Sequence, residues 1–168
     1  SWWLFGLLLK ISRLESEMRT LATYDSLTGF YNRNSFFMIS ENMLNLMNRE
    51  KLLLTVFYID IDHFKKVNDT YGHDVGDFVL QNIAEYITKN VRQSDIVGRM
   101  GGEEFVVALP KTDLRDGEIV AENLRKGIAD LKLINKDEIS IKVTISIGIS
   151  CNSYIENISI DDLLKKAD

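Results

Sequence analysis

The sequence of 168 residues has little of several features that would mark a particular class of protein. A single cysteine, Cys151, excludes an internal disulfide bond and fits a reducing compartment such as the cytosol. A single proline excludes a proline-rich linker. The apolar run over residues 1–9 is shorter than the ~20 residues that a bilayer span requires. With 20 basic against 25 acidic residues, a net charge of −5 argues against nonspecific binding to nucleic acid.

What the sequence does contain is enough material for one folded domain. Its length suits a single domain, and a hydrophobic content of 45% with 10% aromatics supplies a core. Helices alternate with strands, and one hairpin interrupts the alternation, which predicts an α/β (α+β) fold with a mixed central β-sheet flanked by helices. We predict strands at 52–61, 96–100, 104–109 and 141–150, and helices at 34–49, 64–68, 75–91, 114–131 and from 161 onward.

The first part of the chain has a different, heptad pattern. Apolar residues at alternating spacings of three and four predict a helix that forms a parallel, dimeric coiled-coil stalk; they are Leu4, Leu7, Ile11, Leu14, Met18 and Leu21. An amphipathic helix docked on its own domain is the alternative. Residues 1–9, followed by Lys10 and Arg13, suit either the cytoplasmic end of a membrane-spanning helix or a helix end that packs on a partner. Both interpretations stay open.

Three carboxylates are candidates for chemistry because of where they fall. Asp60 lies at the end of a strand predicted to be buried on both faces, and Glu103 and Glu104 follow the paired glycines of the predicted hairpin. If the hairpin lies beside that strand, the three groups converge. Clustered carboxylate oxygens suit Mg²⁺, and a turn without side chains lets phosphates approach the backbone. Solvated surface charge is the alternative for such hairpin acids.

These motifs resemble the GGDEF family of diguanylate cyclases, with glutamate in the third place. The resemblance covers about residues 24–168. It is carried by the loop 101–105 (Gly-Gly-Glu-Glu-Phe) and, in the same order as in the family, by the segments 25–33, 60–65, 68–73, 76–77 and 144–148. It implies a fold similar to nucleotidyl cyclases and polymerase palms. It also implies condensation of two GTP into cyclic di-GMP and two pyrophosphates across a dimer, each 3′-hydroxyl attacking the α-phosphate of the other GTP.

The resemblance also implies roles for individual residues. Asp60, Glu103 and the Ile61 carbonyl would bind two Mg²⁺ ions per site, with Mn²⁺ as an alternative, and Glu104 would be a further ligand or help to deprotonate the 3′-hydroxyl. Substrate-binding positions are Asn68 and Asp77, which resemble the guanine-reading pair, together with Lys65 facing phosphate, Phe64, His73, Gly101 and Gly102. For Lys65, an exposed lysine without a ligand is the alternative.

Arg92 and Asp95 resemble the family's inhibitory site, at which cyclic di-GMP binds. An Arg-x-x-Asp sequence is also common as a surface pair three residues apart on a helix. In the family a second arginine often completes the site; Arg125 is a candidate, with Arg115 and Asn123 leaving its identity open.

We therefore expect residues 1–23 to be a stalk and 24–168 a cyclase domain whose C-terminal segment is missing. The family continues with a lysine and an arginine that contact the triphosphate, and the helix starting at Asp161 has no stop signal by Asp168. We expect a cytoplasmic domain of a membrane-anchored sensor. The rival interpretations are a non-catalytic receptor for cyclic di-GMP or GTP, and a dimerisation module with an incidental acidic cleft.

Overall fold

The computed structural model describes residues 2–153 and 157–168, and it places six helices and six strands in them. The helices are α1 (Trp2–Thr23), α2 (Arg33–Glu50), α3 (Phe64–Tyr71), α4 (His73–Asn90), α5 (Leu114–Ala129) and α6 (Ile160–Ala167). The strands are β1 (Leu54–Ile61), β2 (Ile96–Gly101), β3 (Glu104–Pro110), β4 (Leu133–Ile134), β5 (Ser140–Ile141) and β6 (Ile145–Cys151).

Four of the strands form the central sheet in the order β2-β3-β1-β6. Neighbouring strands are all antiparallel. β1 and β2 are joined through α3 and α4, and β3 lies between them in the sheet. β3 and β6 are joined through a segment that contains α5, and β1 lies between them. Each connection is a split βαβ arrangement. The expected α+β sheet flanked by helices is confirmed. The sheet was also predicted to be mixed; among the described residues, the parallel pairing with it is an isolated bridge between Tyr31 and Gly98.

The sheet is covered on both faces, which explains the unbroken apolar sequence of β1. Side chains alternate along a strand. Phe57 and Ile59 therefore pack into the cluster that also contains α3, α4 and α5, whereas Leu54 and Val56 pack with α2 and α6. The acidic end of β1 lies at the end of this sandwich, where the buried stretch stops.

α1 stands apart from this packing. It is one continuous helix over Trp2–Thr23 and contains no buried residue. The heptad residues are therefore exposed in the single chain, as Leu14 (49%) and Met18 (70%) illustrate. An amphipathic helix docked on its own domain is thereby contradicted. Among the described helices, none combines the length and the apolar character needed to cross a bilayer.

The predicted strand over 141–150 is wrong in its first part. Ser140–Ile141 pairs with Leu133–Ile134 in a separate small sheet, and β6 begins only at Ile145. Residues 142–144 belong to neither strand, although the Thr144 carbonyl accepts a hydrogen bond from the Asp62 N–H at 2.9 Å, which continues the register of β1 with β6. Two helices end at residues other than those predicted: α3 ends at Tyr71 rather than at residue 68, and α5 ends at Ala129 rather than at residue 131.

Candidate active site

An acidic cluster forms where β1 ends and β3 begins; we use this name for Asp60, Glu103 and Glu104. Asp60 is directly opposite Glu104 in the antiparallel register of the two strands. Glu103 precedes β3, and its carbonyl accepts a hydrogen bond from the Ile61 N–H at 3.3 Å. All three acidic residues are partly buried. The expected convergence of the strand end and the hairpin is thus present.

The electrostatics of this cluster are unfavourable in the absence of a cation. Burial raises the pKa of Asp60, and the nearby charges of Glu103, Glu104 and Asp62 raise it further. Like charges directly opposite on adjacent strands destabilise a sheet. No group of three or more His, Cys, Asp or Glu residues with metal-site geometry occurs within residues 2–153 and 157–168. Mg²⁺ suits such a place, because it takes one or two carboxylates and completes its shell with water and phosphate.

Residues 101–103 connect β2 to β3 and include Glu103; we call them the glycine turn. Gly101 and Gly102 have φ angles of 152° and 46°, which disfavour residues with a side chain. Both glycines are exposed, so their backbone is accessible. The predicted hairpin with glycines at its turn is confirmed, with a bulge between Arg99 and Gly101.

Sequence reasoning missed the residue that holds this turn. The Arg99 guanidinium donates to the Gly102 carbonyl from Nη2 at 2.8 Å and from Nε at 3.2 Å. Its Nη1 donates to Asp25, which also accepts from the N–H and hydroxyl of Thr28. The position of Arg99 just before the glycines was the available signal, but its partner Asp25 is distant in sequence.

Asp62 has a different environment from that of Asp60. Its two carboxylate oxygens accept hydrogen bonds at 2.6 Å from the hydroxyls of Thr144 and Ser146. Burial alone would raise the pKa of Asp62, but these hydrogen bonds lower it. Asp62 therefore anchors β6 to the end of β1, and its oxygens are already engaged.

Tyr58 is a further residue on the Asp60 face of β1, two positions before Asp60. Burial and the neighbouring Glu104 carboxylate raise the pKa of Tyr58 to about 12. The phenol therefore stays protonated near neutral pH and remains a hydrogen-bond donor beside Glu104. The two-residue period of a strand was the signal that could have placed it there.

The residues predicted to bind substrate occupy α3, α4 and the glycine turn. Asn68 lies on α3, and its Oδ1 is buried against Gly76, the residue before the exposed Asp77 on α4. Lys65 and His73 are exposed. Phe64 is only 6% exposed, so its ring belongs to the core beneath Asn68 and leaves little surface for a ligand.

Arg92 and Asp95 lie in the turn between α4 and β2. Asp95 is not a surface residue: its side chain is 1% exposed, against 57% for Arg92. Its Oδ2 accepts from the Arg92 N–H at 2.7 Å, and burial raises its pKa. The Arg92 guanidinium donates to the Thr112 hydroxyl at 2.5 Å and to the Pro110 carbonyl at 3.4 Å.

A cavity of about 540 Å³ adjoins this pair. Its lining includes Arg92 and Asp95 and two further cations, Lys89 and Lys111. Arg125 does not line it and instead forms a hydrogen-bonded pair with Glu122 on α5 at 2.8 Å. Arg115 and Asn123 do not line it either. Which residue completes the inhibitory site therefore stays a prediction, and the further charged residues that line this cavity are Lys89, Lys111 and Asp116.

A split βαβ sheet with a glycine turn and an acidic cluster at one end is the architecture of a GGDEF domain. The sequence profile of that family, described as "Diguanylate cyclase, GGDEF domain", matches residues 22–168. The chain therefore belongs to the GGDEF diguanylate cyclase family.

Similar proteins extend this result. The chain is 42% identical over 131 residues to the probable diguanylate cyclase DgcT of Escherichia coli, covering 77% of this chain and 28% of DgcT. It is 40% identical over 152 residues to the response regulator PleD of Caulobacter vibrioides, covering 88% and 33%. The chain thus spans about a third of the length of these curated relatives.

Among solved structures, one similar fold is the coiled coil and GGDEF domain of DgcB from Caulobacter crescentus in complex with c-di-GMP. The TM-score is 0.86 at 25% identity, and the match covers 98% of this chain and 88% of the other. This similarity extends over α1 as well as the domain.

Proposed function

We propose that this chain is the catalytic domain of a diguanylate cyclase, which condenses two GTP molecules into cyclic di-GMP and two pyrophosphates. The observation that carries the proposal is the pairing of Asp60 with Glu104 across β1 and β3, beside Glu103 on an exposed glycine turn. A fold gains nothing from three partly buried carboxylates at the ends of adjacent strands. Binding of cations together with a polyphosphate accounts for them, and family membership supports this substrate class.

In each half-reaction, the 3′-hydroxyl oxygen of one GTP forms a bond to the α-phosphorus of the other. The bond from that phosphorus to the pyrophosphate oxygen breaks, and the hydroxyl proton leaves. Glu104 is proposed to accept or steer that proton. Asp60, Glu103 and the Ile61 carbonyl would hold Mg²⁺, two ions per site, or Mn²⁺. When bound, such ions stabilise an alkoxide and the charge on the phosphates.

The nucleotide itself is proposed to lie along α3, α4 and the glycine turn. Asn68 and Asp77 would bind the guanine edge, since a carboxylate accepts from N–H groups that adenine lacks at that position. Exposed Lys65 and His73 are available for phosphate or ribose contacts. The positive φ angles at Gly101 and Gly102 keep the turn free of side chains where phosphates approach.

Catalysis in this proposal requires two copies of the chain, because each domain holds one GTP. Residues 1–23 would supply the contact as a parallel coiled coil, with residues 24–168 as the cyclase domain. In support, α1 is continuous, and its heptad residues are exposed in the single chain. We further propose a cytoplasmic location below a membrane-anchored sensor, which the single cysteine and the Trp-rich start followed by Lys10 and Arg13 favour.

Product feedback is the regulatory part of the proposal. Cyclic di-GMP would bind at the cavity beside Arg92 and Asp95, which Lys89, Lys111 and Asp116 also line. The guanidinium offers a planar fork for a guanine edge or phosphate. To make that contact, Arg92 would exchange its hydrogen bonds to Thr112 and Pro110 for the ligand.

The decisive experiment incubates the full natural protein with GTP and Mg²⁺ and quantifies cyclic di-GMP and pyrophosphate. We expect one cyclic di-GMP per two pyrophosphates. Glu104→Gln should lower the rate by about 100-fold or more without changing the thermal midpoint greatly. Glu118→Gln, the same change at an exposed position of α5, is the matched control and should behave like the parent. No product from a dimeric parent would overturn the enzyme proposal and favour a nucleotide receptor.

A further inference from the structure

The contact between Asn68 and Gly76 determines how one of the predicted guanine-reading side chains packs. Gly76 is a buried helical residue of α4. A Cβ added to it would overlap with Oδ1 of Asn68 and would lie 3.0 Å from Cγ of the same side chain and 3.2 Å from Cζ of Phe64. The bare Cα of Gly76 therefore creates the space that the Asn68 amide fills.

This packing determines which atom of the amide is available to a ligand. Oδ1 is buried, with no hydrogen-bond partner in the described part of the chain. The two terminal atoms of an amide point away from each other, so Nδ2 is turned away from Gly76. An oxygen can form a weak C–H···O contact with a glycine Cα, whereas an NH₂ group there would bury two unpaired donors. The packing thus favours Oδ1 inside and Nδ2 outside.

An outward Nδ2 has a clear chemical meaning next to Asp77. Nδ2 only donates hydrogen bonds, and an ionised carboxylate only accepts them. A guanine edge offers both kinds of partner, namely acceptors such as O6 and N7 and donors at N1 and the exocyclic amine. The Asn68 donor on α3 and the Asp77 acceptor on α4 are together complementary to that edge.

We propose that Gly76 is a positioning residue for base selection: its missing side chain seats the Asn68 amide with Nδ2 outward, so that α3 and α4 present one donor and one acceptor to guanine. This inference rests on the proposed function, because it assumes that Asn68 and Asp77 face the base. It adds the orientation of the amide and the residue that imposes it.

The test measures binding of 3′-deoxy-GTP and 3′-deoxy-ATP, with Mg²⁺, to the full natural protein by calorimetry. Both nucleotides lack the attacking hydroxyl, so binding is separated from turnover. The parent should prefer the guanine nucleotide. Gly76→Ala should weaken binding of 3′-deoxy-GTP by about tenfold, the loss of roughly one hydrogen bond, and leave binding of 3′-deoxy-ATP unchanged. An unchanged preference in Gly76→Ala overturns the inference.

Two further variants separate base selection from mere crowding. Gly117 lies in α5, outside the proposed site, and Gly117→Ala places a Cβ 2.7 Å from Cγ2 of Thr55 in β1. It should lower the thermal midpoint and keep the parental preference for guanine; loss of that preference would contradict the inference. Asn68→Asp replaces the outward donor by an acceptor and should lose 3′-deoxy-GTP as Asn68→Ala does. Parental affinity in Asn68→Asp would show that Nδ2 is not the contact.

If Gly76→Ala alone folds poorly, the double variant Asn68→Ala/Gly76→Ala keeps the question answerable. Removing the amide vacates the space that the new Cβ needs, so the double variant should have a higher thermal midpoint than Gly76→Ala. A double variant no more stable than the single one overturns the inference. A parent that binds both nucleotides equally removes the guanine assignment itself, while the GTP turnover assay judges the cyclase proposal separately.

Discussion

Arg99 and Asp25 form an ion pair of 3.1 Å that joins the glycine turn to the segment directly after α1. The two side chains are 15% and 22% exposed, so solvent screens the pair only in part. The same guanidinium holds the Gly102 carbonyl. The Arg99 side chain therefore contacts both the segment that follows α1 and the turn that carries Glu103.

Replacing Arg99 by lysine should loosen the glycine turn. A lysine keeps the charge but cannot reach Asp25 and the Gly102 carbonyl together with a planar fork. We expect a loss of roughly 1–3 kcal/mol in unfolding free energy. We also expect kcat to fall about tenfold with a smaller change in KM, because the acidic cluster is displaced while the base contacts remain. Denaturant unfolding and steady-state assays measure both quantities.

The control for this change is Arg49→Lys, at an exposed position of α2. Parental kcat and stability in Arg99→Lys would contradict the prediction. The pH dependence of stability provides a second check. Burial would raise the pKa of Asp25, but hydrogen bonds from Thr28 and the Arg99 charge lower it below its ordinary 3.8. Its stabilising contribution is therefore present above pH 3.8 and is lost as the pH falls through the lower, folded-state pKa.

Asp60 should destabilise the metal-free fold. Its pKa is raised in the folded state, so the penalty grows as the pH rises above 3.8 and through the raised pKa. In chelator-treated protein at neutral pH, Asp60→Asn is expected to raise the thermal midpoint by about 2–4 °C. The same variant should lose any midpoint increase caused by Mg²⁺. A parent that gains nothing from Mg²⁺ with GTP would count against a metal site there.

Asp62→Asn is the matched comparison, two residues along the chain, and its expected effect has the opposite sign. The pKa of Asp62 is lowered because Thr144 and Ser146 donate to its carboxylate. Its contribution to stability is present above pH 3.8 and is lost as the pH falls through the lowered pKa. The thermal midpoint of Asp62→Asn should therefore fall at neutral pH, with or without Mg²⁺. Equal behaviour of the two variants would refute the distinction.

Arg92→Ala should abolish inhibition by cyclic di-GMP while the uninhibited rate stays close to that of the parent. The variant removes the planar donor group beside the cavity, which Leu109 lines near the opposite end of β3 from Glu104. Product titration during a pyrophosphate-release assay measures the effect. Arg125→Ala is the control, because Arg125 pairs with Glu122 and does not line the cavity. Unchanged inhibition in Arg92→Ala would place the feedback site elsewhere.

Leu14→Asp should dissociate the dimer that the stalk is proposed to form. Leu14 occupies a heptad position and is 49% exposed in the single chain, so a charge there would be buried between two helices only on dimerisation. Ser16→Asp adds the same charge two residues later, on the opposite helix face. Sedimentation should show a monomer for the first and a dimer for the second, and turnover should follow the dimer. An active, monomeric Leu14→Asp protein would contradict the role of the stalk.

Most elements of the fold could be predicted from local patterns, and the failures have a common cause. β1 could be predicted because a strand buried on both faces needs an almost unbroken apolar run. That run ends near Asp60, the first residue of the acidic cluster. The alternation over 141–150 was misleading at its start, because Ser140–Ile141 pairs with Leu133–Ile134 in a separate small sheet, and β6 begins only at Ile145. A periodic pattern reports local burial and does not say which strand a residue pairs with.

The same distinction applies to the site. The convergence of Asp60 and Glu104 was predicted on the condition that the hairpin lies beside β1, and the pairing of β1 with β3 meets that condition. Arg99 and Gly76 were not assigned a role, because each acts through a contact made only after folding, with Asp25 and Asn68. The placement of Lys89 and Lys111 beside Arg92 could not be predicted either, because the cavity brings together α4 and the turn after β3.

The segment between α1 and α2 also protects the outer edge of the sheet. β2 is an edge strand, and such strands expose unpaired N–H and C=O groups that can recruit other chains. Tyr31 occupies these groups, because its N–H donates to the Val97 carbonyl at 3.2 Å and its carbonyl accepts from the Arg99 N–H at 2.9 Å. Peeling this segment away would leave β2 open to strand addition, so the link between stalk and domain also guards the protein against aggregation.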